Sequence, residues 1–316
     1  MGKLAFVFPG QGSQAAGMGR ALAEAFSVAR AVFEEADQAL GFVLSKLCFQ
    51  GPEEELRLTA NTQPAVLACS LAAFRVLEEK GVKPDYVAGH SLGEYSALVA
   101  AGCLSLAEAL VTVRRRGQSM QQAVPAGEGA MAALLGLPAD RVKAVCEQSA
   151  QGQVVAPANL NSPQQVVISG HASAVERAIE AAKVAGAKRA LKLPVSAPFH
   201  CALMQPAVAP LKKQLESITF KELRVPLISN VDADVVRTPE QAREALLRQV
   251  PSPVRWEESM RKLVELGCDL AVEVGPGKVL TGLWRQIDPR VATFNVEDPA
   301  SLEKTLEKLS AQEAAS

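Results

Sequence analysis

The chain has 316 residues, more than one core usually serves, so a large domain with a smaller companion is expected. Lys+Arg is 33 and Asp+Glu is 34, a net charge of -1, which argues against a nucleic-acid binder with its basic surplus. Hydrophobic residues make up 48% and charged residues 21%, as in a soluble globular enzyme, and no apolar run reaches the roughly 18 residues of a membrane helix.

Leu4 to Phe8 predicts a first strand that ends in the glycine-rich turn PGQGSQ, and the opening MGKLAFVFPGQ lacks a signal peptide's cleavage region. A helix is expected from about Met18 to Leu40, then a polar loop, LTANTQPA, and a helix from about Ala65 to Lys80 closed by Gly81. Tyr86 to Ala88 reads as a short buried strand, and Ser96 to Ala101 as an alanine-rich helix stopped by Gly102. Ser105 and Glu108 have capping-box spacing and open a helix to about Gln121. Strands alternating with helices imply a mostly parallel sheet covered on both faces, an α/β class with an α/β-hydrolase-like core.

The rhythm changes between about Pro125 and Pro198. Ala130–Leu135, Val154–Leu160, Gln165–Ser169 and Ala190–Val195 read as strands. Ala139–Ala150 and a segment capped by Ser173 with Glu176 and ended by Gly186 read as helices. The order β-α-β-β-α-β is that of a ferredoxin-like unit, expected as an inserted subdomain over 125–198 within a large domain of 1–124 and 199–316. Afterwards VPLISN is a strand, PEQAREALLRQV and VRWEESMRKLVELG are helices, and LAVEVGPG is a strand running into a glycine turn. VATFNV is a last strand before a terminal helix whose tail, AQEAAS, is expected to fray. Six cysteines without C-x-x-C spacing fit reduced thiols in the cytoplasm, and no zinc site is expected.

The chemistry centres on GHSLGEYSAL, residues 89–98. A strand, a Gly-x-Ser-x-Gly corner and a helix make a nucleophile elbow, which exposes the Ser91 hydroxyl near a helix N-terminus. A serine needs a base, and the histidines are His90, His171 and His200. His90 adjoins the nucleophile and is expected to pack beneath the elbow, while His171 suits a capping or solvated role. His200, in VSAPFHCALM at the return from the insert, is the expected base. No histidine follows it, so the usual order serine, acid, histidine is absent; Asp232, Asp234, a backbone carbonyl or a side-chain amide could orient the imidazole. An oxyanion hole is expected from the main-chain N–H groups of Leu92 and, in the GQG turn, Gln11.

FVFPGQGSQ (6–14), TQPA (62–65), AGHSLGEYSAL (88–98), RGQSMQ (116–121), NSPQQVVISG (161–170), PVSAPFH (194–200) and EVGPGKVLTGL (273–283) together resemble the acyltransferase family. Within it the likeness is to the malonyl-CoA:acyl carrier protein transacylases of bacterial fatty acid synthesis, over nearly the whole chain and in the same order. The resemblance implies that Ser91 carries the malonyl group, His200 is the base, and Gln11 and Leu92 hold the oxyanion. It further implies that Arg116 binds the malonyl carboxylate, Gln63 lines the site, Gln249 orients the histidine and Phe199 suits a malonyl-sized pocket. A planar guanidinium is the chemically apt partner for a buried carboxylate. The substrates implied are malonyl-CoA and holo acyl carrier protein, with no metal or other cofactor. Lys188, Arg189, Lys192 and either Arg114 or Arg115 are the basic residues proposed to meet the acidic carrier. Related readings are the malonyl transferase of a malonate decarboxylase and a trans-acting polyketide acyltransferase. A serine hydrolase or thioesterase shares only the elbow.

Overall fold

The computed structural model describes residues 2–195 and 197–315, with side chains through Gln312, so Ser196 of the PVSAPFH segment and the terminal Ser316 lie outside the described residues. The chain begins with β1 (Lys3–Phe8), α1 (Arg20–Ala25), α2 (Ser27–Leu40), α3 (Leu44–Gln50), α4 (Glu53–Leu56) and α5 (Thr59–Glu79). β2 (Tyr86–Gly89), α6 (Gly93–Ala100) and α7 (Leu106–Gln122) follow. Next come β3 (Gly129–Leu135), α8 (Ala139–Ala150), β4 (Val155–Ser162), β5 (Gln165–His171), α9 (Ala172–Val184) and β6 (Arg189–Lys192). A short 3-10 helix at Ala202–Ala207 leads into α10 (Val208–Glu216), β7 (Leu227–Ile228), β8 (Val235–Val236) and α11 (Pro239–Gln249). The chain closes with α12 (Trp256–Glu265), β9 (Cys268–Val274), α13 (Val279–Ile287), β10 (Ala292–Val296) and α14 (Pro299–Ala315).

The fold is mixed α/β, with a six-stranded sheet in the order β10-β9-β1-β2-β7-β8. Its strands are parallel except β8, which pairs antiparallel with β7. Both faces are buried, which is why β1 reads as a continuous apolar run instead of an alternating one. Phe6 and Phe8 join the larger core with α2, α5 and α7, while Ala5 and Val7 turn to a second core containing Trp256 and Trp284 from α12 and α13. The second sheet is antiparallel, in the order β4-β5-β3-β6. Ala130, Ala132 and Leu134 of β3 pack beneath α8 and α9, whereas Met131 and Ala133 face the main core. Main-chain bonds tie this sheet to the rest: Leu160 N donates to Val254 O at 2.9 Å and Val254 N to Ala158 O at 2.8 Å. The two layers therefore meet along a cleft.

Several local expectations change. The helix expected over 18–40 is two helices, because Phe26 is extended (φ -129°, ψ 125°) and packs on the core. LTANTQPA is not a loop: α5 begins at Thr59 and carries Pro64 inside it. Its polar residues mislead because Thr62 and Gln63 are buried and bonded internally. Two prolines hide the helical stretch 202–216: Pro206 lies in the 3-10 turn and Pro210 in the first turn of α10, where a missing N–H costs nothing. β6 ends at Lys192, and the strand expected for VPLISN shrinks to two residues that turn back into β8. α13 follows the glycine turn directly. Ser105 caps α7 by accepting from Glu108 N at 3.2 Å, but Ser173 caps nothing and donates instead to Gln153. The tail stays helical to Ala315.

Candidate active site

β2 runs into a corner that only glycine tolerates on either side of Ser91. A Cβ on Gly89 would meet Gly93 O at 1.9 Å, and one on Gly93 would meet Phe8 O at 2.1 Å. Ser91 itself is left-handed (φ 52°), a conformation that costs a non-glycine residue on the order of 1–3 kcal/mol and persists where surroundings impose it. Asn230, just after β7, imposes it. Its Oδ1 accepts from Ser91 N at 2.6 Å, and its Nδ2 donates to Gly89 O at 2.7 Å.

His200 lies between β6 and the 3-10 helix, also left-handed (φ 58°) and only 3% exposed. Its Nε2 is 2.7 Å from Ser91 Oγ, and its Nδ1 is 3.0 Å from the main-chain oxygen of Gln249. A carbonyl only accepts, so Nδ1 carries the proton and Nε2 presents a lone pair to the hydroxyl. Neither aspartate weighed as orienter takes part: Asp232 is held by Arg248 at 2.6 Å, and Asp234 pairs with Lys262 at 3.1 Å. His90 Nε2 donates to Asn161 Oδ1 at 2.8 Å and the ring leans on Trp256, and the His171 ring accepts from Val154 N at 2.9 Å.

Burial first, and the Arg116 charge second, push the His200 pKa from 6.5 down to about 3. The folded chain thus refuses a proton that the unfolded chain accepts. This contribution to stability is complete above about pH 6.5 and fades as pH falls toward about 3. Urea unfolding should lose about 1–2 kcal/mol more between pH 7 and pH 5 in the native chain than in His200→Asn. Equal losses would contradict a buried neutral imidazole.

The three successive arginines of α7 separate by helical geometry. The Arg114 guanidinium stacks 4.2 Å from the centroid of the Phe42 ring, Arg115 donates to Gln214, and Arg116 points inward at 2% exposure. Its Nη1 donates to Gln63 Oε1 at 2.9 Å, and its Nη2 to Gln249 Oε1 at 3.0 Å and Ser91 Oγ at 3.1 Å. Every one of these acceptors is neutral, and Arg116 Nε has no partner among the described residues. A cavity of about 90 Å³ opens on this group, lined also by Gln11, Leu92 and Phe199 and by the apolar chains of Met120, Met131 and Val195. A second, of about 190 Å³, continues past Gln11, His90, Asn159 and Leu193 between the PGQG turn and α13. The main-chain N–H groups of Gln11 and Leu92 are engaged by no acceptor among the described residues.

Asn230 and Glu94 were not singled out from the sequence. Glu94 is the lone charge in an otherwise apolar or small helical run, a signal that marks a buried carboxylate with a task. Asn230 gives no such signal, being one asparagine at a strand end. Among the described residues no group of three or more His, Cys, Asp or Glu is arranged to hold a metal ion, and all six cysteines are free and buried. No helix among them is long and apolar enough to cross a membrane.

The acyl transferase domain family matches residues 5–290. The chain belongs to the acyl transferase family. A malonyl CoA-acyl carrier protein transacylase of Bacillus subtilis is 51% identical over 310 residues, which are 98% of each chain. The crystal structure of an acyl carrier protein S-malonyltransferase from Vibrio cholerae superposes with a TM-score of 0.94 at 50% identity, covering 96% of this chain and 99% of that one. A structure described as a type II PKS acyl-carrier protein in complex with its malonyl-transacylase gives a TM-score of 0.95 at 50% identity, covering 97% and 99%. In this acyl transferase the elbow serine lies between β2 and α6 and the inward arginine on the next helix, α7, while the histidine comes from far later in the chain, after β6.

Proposed function

We propose that the chain transfers the malonyl group of malonyl-CoA to the phosphopantetheine thiol of holo acyl carrier protein through a malonyl-Ser91 ester. The observation that carries this reading is Arg116: a buried guanidinium 3.1 Å from Ser91 Oγ whose hydrogen-bond acceptors are all neutral. Such a cation invites an anionic acyl group. Ser91 Oγ attacks the thioester carbonyl while its proton passes to His200 Nε2. The oxyanion accepts from Gln11 and Leu92 N–H. The C–S bond then breaks, and coenzyme A leaves with the proton returned by His200. The carrier thiol next gives its proton to His200 and attacks the ester, and Ser91 leaves reprotonated, a ping-pong double displacement. A carboxylate seated on Arg116 cancels the second cause of the lowered His200 pKa, so the loaded site has the stronger base.

In the same reading, residues 1–124 and 199–316 form an α/β-hydrolase-like domain and 125–198 a ferredoxin-like insert, with acyl-CoA and carrier arm entering the cleft between them. The strand order β6-β3-β5-β4 supports the insert. Exposed Lys188 and Arg189 remain available to an acidic carrier in the cytoplasm, whereas Lys192 is paired with Glu176 at 2.5 Å. Intact mass spectrometry after mixing with malonyl-CoA is expected to show one malonyl increment that holo carrier protein discharges. Release of free malonate without transfer to the carrier thiol would favour a hydrolase and sink the proposal.

A further inference from the structure

Glu94 is fully buried on the first turn of α6. Its Oε2 accepts from Gln249 Nε2 at 2.8 Å and from Asn230 N at 3.1 Å, while Oε1 has no partner among the described residues. An unpaired buried carboxylate detracts from stability, so its value lies in what it holds. Burial drives its pKa up to about 7, against the bonds from Asn230 and Gln249 that pull it down.

The Gln249 amide sits between this carboxylate oxygen and Arg116. Its Nε2 also donates to Ser91 O at 3.0 Å, and its Oε1 accepts from Arg116 Nη2 at 3.0 Å. A guanidinium only donates, and an ionised carboxylate only accepts. Turning the amide over would set nitrogen against nitrogen at Arg116, oxygen against the main-chain oxygen of Ser91 and, with Glu94 ionised, oxygen against oxygen there. The two ends therefore lock a single orientation.

We propose that Glu94 is a positioning residue for acyl selection: it fixes the Gln249 amide, and through it holds the Arg116 guanidinium ready for the carboxylate of the acyl group. The inference rests on the malonyl-transfer reading, and the wild-type loading measurement tests that reading separately.

Glu94→Met keeps the bulk and removes the acceptor, whereas Glu94→Gln keeps an oxygen where Gln249 Nε2 and Asn230 N require one. Loading of the full chain from malonyl-CoA and from acetyl-CoA separates selection from general damage. In Glu94→Met the malonyl-to-acetyl ratio of kcat/KM should fall on the order of tenfold, mostly through KM for malonyl-CoA. In Glu94→Gln the ratio should recover to within about threefold of wild type. Should Glu94→Met fail to fold, Glu94→Asp, which withdraws the oxygen while keeping the charge, carries the same expectation of a lowered ratio. An unchanged ratio in a folded Met or Asp variant overturns the proposal, as does a Glu94→Gln ratio as low as that of Glu94→Met. A wild-type chain that takes up no malonyl group would remove the malonyl-transfer reading instead.

Discussion

Ser91→Ala is expected to take up no malonyl group, and its transfer of malonyl to the carrier thiol should fall by on the order of 10³-fold or more. The geometry gives the reason. Ser91 Oγ is the atom that meets both His200 Nε2, at 2.7 Å, and Arg116 Nη2, at 3.1 Å. Removing it leaves a base with no nucleophile to activate and a cation beside an empty crest. The alanine variant should still fold, because Asn230 holds the corner through the main chain of residues 89 and 91. Intact mass and a thermal melt together check this. A malonyl adduct on the folded Ser91→Ala chain would move the nucleophile elsewhere.

Arg116→Ala is expected to lower kcat/KM for malonyl loading by about 10²- to 10³-fold, the usual penalty for losing one partner of a buried charge pair. Acetyl loading, which brings no carboxylate, should change about tenfold less. Arg116→Lys should recover little. Gln63 and Gln249 receive two separate η nitrogens, at 2.9 and 3.0 Å, and a single ammonium cannot reproduce that fork. Parallel loading assays with the two thioesters decide the matter: equal losses for both would strip Arg116 of a selecting role. The lost cation should also lift the His200 pKa, since its repulsion is the second cause of the depression.

Much of the fold was legible where one local rule governed. The apolar run of β1, the glycine corner at 89–93 and the Ser105 cap each follow from sterics or hydrogen bonding within a few residues. The errors fell where tertiary burial overrode local signals. Thr59 to Pro64 reads polar, yet becomes helix because Thr62 and Gln63 are internal. The stretch 202–216 carried no expected element, yet it is helical, with its prolines in a 3-10 turn and a first helical turn that need no N–H from them.

For the site, residue types and the ordered motifs named the serine, the histidine and the register of Arg116 within its run of three. Nothing local could say that the imidazole would be steadied by the Gln249 carbonyl instead of a carboxylate, since one main-chain oxygen resembles any other until the chain is folded. The same holds for Asn230 and Glu94, whose bonds to residues 91 and 249 span more than a hundred positions each. Covalent chemistry is written in side-chain identity and short spacing. Orientation and charge balance arise only when distant segments are buried together, because desolvation gives those contacts their strength.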